Sequence, residues 1–139
     1  MYAQVMGFPT ALGLPRMVSQ QAPMVLRQLG LIQSLARIVD VIDLGDVLVE
    51  KADVGDEVDR RLRKVLTAAH RQAVAFKGVY ARDSLPITLG GDHTTSLGTA
   101  LALKQLGLSF DVVWLDAHRT PLQLRHQIDY SAILRLDVI

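Results

Sequence analysis

The chain has 139 residues, half of them hydrophobic and 21% charged, which is the composition of one globular domain. Its 15 basic and 14 acidic residues give a net charge of +1, so we expect neither a nucleic-acid partner nor a membrane partner. It has no cysteine, which excludes thiolate metal sites and disulfides and agrees with a cytoplasmic location. We also expect no signal peptide, because no basic segment precedes an apolar stretch at the N-terminus. No spanning helix is expected either, because no apolar run approaches ~18 residues.

The first part of the chain predicts strands and helices in alternation. Tyr2–Phe8 is a short apolar strand, and residues 10–20 are predicted to form a loop. A helix is expected from about residue 23 to residue 35, weakened in its middle by Gly30. Residues 38–44 predict the second strand, with Gly45 and Asp46 as the turn that follows.

Residues 53–82 give the clearest helical pattern. Acidic side chains lie early in this segment and basic ones late, which complements the helix dipole. His70 lies beside the apolar stripe and is predicted to be a surface or boundary residue without a chemical role. The stripe itself repeats every three or four positions and consists of Val58, Leu62, Val65, Leu66, Ala69, Ala73 and Phe76.

A strand–helix–strand unit follows. Residues 85–89 and 110–115 are apolar strands, and the helical segment 95–107 joins them, which is typical of a parallel sheet. The second of these strands is continuously apolar, as expected of a strand covered on both faces. The sequence therefore predicts an α/β fold in which four strands form a parallel sheet flanked by three helices.

Each of these two strands ends in a polar cluster, at the edge of a parallel sheet where ligands bind. Asp116 and His118 are two positions apart in an extended chain, so both side chains can face the same point. The crossover can bring His93 to that point as well. One carboxylate and two imidazoles are donors that suit Zn²⁺, Mn²⁺ or Fe²⁺.

Simpler interpretations of the same residues stay open at this stage. His93 can be a hydrogen-bonding loop residue, and Asp92 or Thr94 can cap the helix that follows. The pair Gly90 and Gly91 can serve only as a turn. A phosphate cradle at the helix N-terminus is a further alternative, but the lysine of a phosphate loop is missing.

The two clusters together resemble a known family. GGDHT (residues 90–94) and WLDAH (residues 114–118) are similar to two manganese motifs of the ureohydrolases, the family of arginase and agmatinase. The resemblance covers residues 3–118 and favours arginase over agmatinase, mainly through the N-terminal part. The segments that carry it there are VMGFP (5–9), LG (12–13) with Arg16, AP (22–23) with Leu26, Arg27, Gly30 and Leu31, and VIDLGDV (41–47).

The resemblance implies a three-layer αβα fold and two Mn²⁺ ions. His93 matches a ligand of one ion, Asp116 a carboxylate that bridges both ions, and His118 a ligand of the other ion. Asp92 matches an acid close to the ions that is not itself a ligand. In this family the two ions activate the hydroxide that attacks the guanidinium carbon of L-arginine, giving L-ornithine and urea. Trimers or hexamers are common, so the resemblance also implies a homo-oligomer.

The sequence departs from the family pattern directly after His118. The family has a ligand aspartate two positions later, where this chain has Thr120, and Arg119 places a positive charge beside the predicted cation site. The substrate-loop motif and a later Asp-x-Asp motif are also absent. Three of the expected protein ligands are present and three are missing, so we expect the chain to be inactive alone.

The boundary at residue 118 divides the chain into two predicted parts. Residues 1–118 form the N-terminal part of an arginase-like α/β domain, truncated after the fourth strand, and residues 119–139 are a tail without a match. We interpret the tail as the product of a frameshift or a truncation. Two other functions stay open, namely a non-catalytic remnant that serves as an interaction fragment and a hydrolase of agmatine or another guanidino compound. A small phosphate-binding domain would not explain Asp116 and His118.

Overall fold

In the part of the chain that the structure describes, three strands form one fully parallel sheet. The computed structural model describes residues 1–13, 18–50 and 57–110 of the chain. Strand β1 (Tyr2–Phe8) lies between β2 (Val41–Asp46) and β3 (Ser84–Gly90). The α/β class and the parallel sheet are therefore confirmed. The predicted fourth strand, beyond residue 110, and the tail 119–139 lie outside the described residues.

Helices connect the strands. A 3-10 turn (Ser19–Gln21), helix α1 (Ala22–Gln28) and helix α2 (Leu31–Leu35) lie between β1 and β2. The 22-residue α3 (Val58–Val79) joins β2 to β3, and α4 (Thr95–Gln105) follows β3. None of the helices in the described part of the chain combines the length and the apolar content needed to cross a membrane.

The prediction of one helix over residues 23–35 is wrong. Gly30 adopts φ +86°, a left-handed conformation that an α-helix does not contain, and it divides the segment into α1 and α2. The beginning of β2 is also later than predicted. The backbone amides of Ile38 and Val39 donate to the carbonyl of Leu35, so these two apolar residues belong to the turn that ends α2.

Two further boundaries differ from the predictions. Gly45 and Asp46 were predicted to form a turn but belong to β2, where Asp46 lies opposite Gly7 of the central strand. Helix α3 ends at Val79 rather than at residue 82, because Tyr80 is extended. Its predicted beginning at residue 53 lies in the segment 51–56, outside the described residues.

Alternate residues of β1 face opposite helical layers. On one face Gln4 donates from Nε2 to the carbonyl oxygen of Val79 in α3 (2.7 Å), and Phe8 packs against α3 and α4. On the other face a Cβ at Gly7 would lie 3.0 Å from Nη1 of Arg27 in α1. Helices therefore cover both faces of the sheet, which confirms the three-layer αβα arrangement.

The apolar core lies mainly between the sheet and the pair α3–α4. The predicted stripe of α3 faces inward, although Val58 at its beginning is 67% exposed. His70 is exposed, as predicted. The helices approach closely, because a Cβ at Gly98 of α4 would lie 2.3 Å from Oε1 of Gln72 in α3. Two buried clusters result: Phe8, Leu12, Val65, Ala68, Ala69 and Leu97, and then Ala73, Phe76 and Ala102.

Candidate metal site

The predicted ligand His93 lies in the loop that joins β3 to α4, which we call the histidine loop (residues 91–94). Phe8 pairs with Gly90, so this loop starts beside the end of β1 and runs along the loop of residues 9–13, the β1 loop. The two backbones touch at Gly91. A Cβ there would lie 1.9 Å from the carbonyl oxygen of Thr10 and 2.9 Å from that of Ser19, so only glycine fits.

Asp92 joins the two loops through its carboxylate. Oδ2 accepts a hydrogen bond from the backbone N–H of Gly13 (2.8 Å). Oδ1 accepts from the backbone N–H of Thr94 (3.0 Å) and from its Oγ1 hydroxyl (2.5 Å). The alternative in which Thr94 caps α4 is wrong, because its side chain makes no hydrogen bond at the N-cap. For Asp92 the alternative holds at the turn that leads into α4, where Oδ1 accepts from the Thr94 N–H. Asp92 also holds the histidine loop against the β1 loop.

Two buried threonine hydroxyls extend this network. Thr10 and Thr94 are 0% and 2% exposed, and their Oγ1 atoms are 3.2 Å apart. The single hydroxyl proton of Thr94 is donated to the Asp92 carboxylate, so the proton between the two threonines comes from Thr10. Thr10 Oγ1 in turn accepts from the backbone N–H of Leu12 (3.2 Å). A directed chain of hydrogen bonds therefore runs from Leu12 through Thr10 and Thr94 to Asp92.

His93 itself is exposed at the carboxyl edge of the sheet. Its carbonyl oxygen accepts from the backbone N–H of Ser96 (3.1 Å) and from Ser96 Oγ (2.8 Å). The backbone of His93 is thus held by the first turn of α4 on one side and by the Asp92 network on the other. This is the edge where parallel α/β sheets bind their ligands.

The other two predicted ligands, Asp116 and His118, lie outside the described residues, so their convergence with His93 stays a prediction. Within residues 1–13, 18–50 and 57–110 no three His, Cys, Asp or Glu side chains are grouped as a metal site. The donor chemistry of the predicted set, two imidazoles and a carboxylate, fits Mn²⁺. Asp92 is near His93, and both of its oxygens accept hydrogen bonds from the protein.

A second polar cluster, the arginine cluster, joins α1 to β2. Arg27 donates from Nε and Nη2 to the two carboxylate oxygens of Asp43 (2.8 and 2.9 Å) and from Nη1 to Asp46 Oδ1 (2.6 Å). The hydrogen bond from Arg27 lowers the pKa of Asp43, helped by the backbone N–H of Gly45. The pKa of Arg27 is raised, chiefly by its hydrogen bond to Asp43. This cluster stabilises the fold and lies on the α1 face of the sheet.

Sequence reasoning did not identify two parts of these networks. Thr10 was assigned only to a loop, and its partner Thr94 is 84 positions away, so no local spacing connects them. From the sequence, Arg27, Asp43 and Asp46 were identified as residues that match the family, and no contact between them was predicted. The signal that could have suggested an ion pair was a set of opposite charges 16 and 19 positions apart, on a predicted helix, the next predicted strand and the turn after it.

Comparisons with known proteins agree with this geometry. The model of the arginase family matches residues 2–122. The chain is 34% identical to the arginase of Bacillus caldovelox over 119 residues, covering 82% of this chain and 40% of that protein. It is 30% identical to human arginase-1 over 126 residues, which cover 85% of this chain and 38% of that protein. The crystal structure of arginase from Bacillus subtilis superimposes on this chain with a TM-score of 0.64 at 27% identity. The match covers 76% of this chain and 35% of that arginase.

These matches share one pattern. Each covers most of this chain, and the chain spans about 40% of the length of the curated relatives that it matches. The family match includes both motifs, GGDHT and WLDAH, as well as the β1 loop that packs against the first of them. The chain belongs to the arginase family.

Proposed function

We propose that this chain provides part of the manganese centre of an arginine hydrolase, an enzyme that converts L-arginine and water to L-ornithine and urea. The observation that carries the proposal is the position of His93. It lies at the carboxyl edge of a parallel sheet, in a loop that Asp92 and the first turn of α4 hold in place. Membership of the arginase family supports the same metal and the same class of guanidino substrate.

The proposed roles follow the resemblance residue by residue. His93 provides an imidazole nitrogen to one Mn²⁺ ion, Asp116 bridges the two ions, and His118 binds the second ion. Asp92 contributes by position, because its carboxylate fixes the loop from which His93 projects. The ions, when bound, supply Lewis-acid activation of water.

We propose further that these 139 residues do not hydrolyse arginine by themselves. Thr120 offers a neutral hydroxyl where the family motif has a carboxylate ligand, and Arg119 places a positive charge beside the ion. These 139 residues contain only three of the expected ligands, so by themselves they do not complete a two-ion centre. Loss even of hydrogen-bond partners around a metal typically reduces affinity or activity about 10–100-fold, and loss of direct ligands should reduce it more.

The tail 119–139 is proposed to be the product of a shifted reading frame. The family match ends at residue 122, close to the point where the motif pattern changes. Translation of the coding DNA in the other two frames past codon 118 tests this origin. We expect one frame to place an aspartate two positions after His118 and to continue into a Ser-Gly-Asn loop. If neither frame does so, the frameshift is rejected.

The proposal also includes the location of the protein in the cell and its oligomeric state. The absence of cysteine supports a cytoplasmic location. Arginases are often oligomers, so we propose a homo-oligomer, with sedimentation equilibrium as the measurement. A single species of monomer mass at every concentration would contradict it.

Calorimetric titration of Mn²⁺ into the full chain tests the metal site. We expect measurable binding that is lost in His93→Ala and in His118→Ala. His70→Ala is the matched control, because His70 is an exposed histidine on α3 outside the histidine loop, and it should bind as the unmodified chain does. Equal binding by the His93→Ala and His70→Ala variants would contradict the assignment.

A urea assay tests the predicted lack of activity. With added Mn²⁺ and either L-arginine or agmatine, we expect no urea above the level of the His118→Ala variant. Urea released by the unmodified chain but not by that variant would show that the chain is active. The substrate that gives it would then identify the guanidino compound.

A further inference from the structure

We propose that Thr10, in the β1 loop, is a positioning residue for His93. The metal part of this inference rests on the proposed function, whereas the structural part does not. Thr10 is fully buried, and it contacts the histidine loop on both sides of His93. Its carbonyl oxygen packs against Gly91, and its hydroxyl lies 3.2 Å from that of Thr94.

The direction of the hydrogen bonds shows what the Thr10 hydroxyl contributes. Thr94 has one hydroxyl proton and gives it to Asp92, so Thr94 Oγ1 depends on Thr10 for the proton that it accepts. The buried N–H of Leu12 depends on Thr10 Oγ1 as its acceptor. Removal of this one hydroxyl therefore leaves a buried donor and a buried acceptor without their partners.

The consequence for His93 follows from its place in the chain. His93 is bonded covalently to Asp92 and Thr94, the two residues that the network fixes. A shift of Thr94 relative to Thr10 moves Asp92 as well, because Asp92 Oδ1 accepts from both the N–H and the hydroxyl of Thr94. Metal–ligand distances are constrained to about ±0.2 Å, so a small displacement of this backbone weakens a metal site.

The β1 loop, which follows the central strand, thus determines where His93, the proposed metal ligand, lies. Thr10 follows β1 by two residues and Thr94 precedes α4 directly, yet the two are 84 positions apart in the chain. The β1 loop acts as a template against which the histidine loop is seated. A hydroxyl at position 10 is the specific requirement, because an apolar residue of the same shape would fill the space without making either hydrogen bond.

Three variants of the full chain test this proposal. Thr10→Val keeps the shape and removes the hydroxyl, and Thr10→Ser restores a hydroxyl. Phe76→Leu is the control for stability, because Phe76 is buried in the other core cluster and contacts neither loop. The first measurement is the NMR chemical shift of the His93 imidazole without metal, and the second is the Mn²⁺ affinity.

We expect the His93 resonances to move in Thr10→Val, to return in Thr10→Ser and to stay unchanged in Phe76→Leu. The Mn²⁺ affinity should fall about tenfold in Thr10→Val and recover in Thr10→Ser, within the range for groups that orient metal ligands. A purely structural role would lower the stability of Thr10→Val and Phe76→Leu alike without this pattern at His93.

The possible results separate this inference from the proposed function. If the unmodified chain binds no Mn²⁺ but Thr10→Val moves the His93 resonances, the metal function fails and the positioning role stands. The positioning role is wrong if Thr10→Val does not move the His93 resonances. It is also wrong if the unmodified chain binds Mn²⁺ and Thr10→Val binds it with the same affinity. Should Thr10→Val not fold, amide exchange in the unmodified chain decides: the Leu12 and Gly13 amides must be protected, and exchange as fast as in an open loop overturns the proposal.

Discussion

The histidine loop follows β3 and the arginine cluster joins α1 to β2, and the two regions are held by different chemistry. The histidine loop is held by neutral donors around one carboxylate, and its two threonine hydroxyls are buried. The arginine cluster is held by charge, and its side chains remain 21% exposed for Arg27, 29% for Asp43 and 40% for Asp46. Water can therefore replace lost partners in the arginine cluster but not between the two buried threonines, whereas the hydrogen bonds of Asp92 are partly buried.

This difference determines what each region contributes. A buried donor that loses its acceptor costs about 1–3 kcal/mol, because no water takes the place of the acceptor. An exposed ion pair contributes about 0.2–1 kcal/mol, because solvent screens the charges and the side chains lose entropy. The neutral network around His93 should thus define the position of its loop more strictly than the charged cluster defines the packing of α1.

The largest effect is expected for Gly91→Ala. The new Cβ would lie 1.9 Å from the carbonyl oxygen of Thr10, and this backbone atom cannot move aside as a side chain can. We expect a loss of about 3 kcal/mol in the free energy of unfolding, measured by urea denaturation, because the two loops must separate.

Gly78→Ala is the matched control for that substitution. Gly78 lies in α3, and a methyl group added there would have no atom within 4 Å, so alanine should raise the free energy of unfolding by about 0.5–1 kcal/mol. Similar losses for the two variants would show that the loops do not meet at Gly91 as described.

A smaller effect is expected for Asp92→Asn, which keeps the shape of the side chain. One oxygen becomes an NH₂ group that faces a donor, either the Gly13 N–H or the N–H and hydroxyl of Thr94. We expect a loss of about 2 kcal/mol in the free energy of unfolding, by the same denaturation measurement. Asp59→Asn, at an exposed position in the first turn of α3, should lose less than about 0.5 kcal/mol. If both variants lose equally little, Asp92 does not join the loops.

The smallest effect is expected for Arg27→Met. The pair with Asp43 is bidentate but partly exposed, so its removal should lower the free energy of unfolding by about 1 kcal/mol at neutral pH. A loss above that of Asp92→Asn would reverse the ranking of the two regions.

The pH dependence of that loss is a separate test. Because Arg27 lowers the pKa of Asp43, the ion pair stabilises the folded state above the ordinary pKa of an aspartate, about 3.9. This contribution is lost as the pH falls through the lower pKa of the folded state. The difference in unfolding free energy between the unmodified chain and Arg27→Met should therefore be constant from about pH 5 to 7 and should shrink below about pH 4. A difference that grows on acidification would contradict the assignment.

The bounds of a strand or helix were predicted well where its apolar residues repeat with a clear strand or helix period. Strands β1 and β3 and helix α4 have nearly their predicted bounds, because their apolar residues follow a strand or helix pattern up to a glycine or a polar residue. Strand β2 was displaced because Ile38 and Val39 are as apolar as a strand yet complete a helical turn. Composition does not distinguish these two cases, whereas the hydrogen bonds to Leu35 do.

In the candidate site, too, one part was predictable from the sequence and another part was not. The motif around His93 was recognisable in the sequence, since residue type and order carry it, and so was the acid beside it. The contribution of Thr10 was not, because a loop threonine has no local signal of a partner 84 positions later. The ion pairs of Arg27 likewise depend on α1 and β2 lying on one face of the sheet.

The sequence by itself determined the family and the parallel α/β layers, and it predicts the metal ligands. These depend on residue types in a linear order and on the periods of strands and helices. Only the tertiary structure decided that the β1 loop seats the histidine loop, and that Asp92 binds the backbone of Gly13 in addition to that of Thr94. Hydrogen bonds between distant segments depend on the register of β1 against β3, and that register arises only when the sheet is assembled.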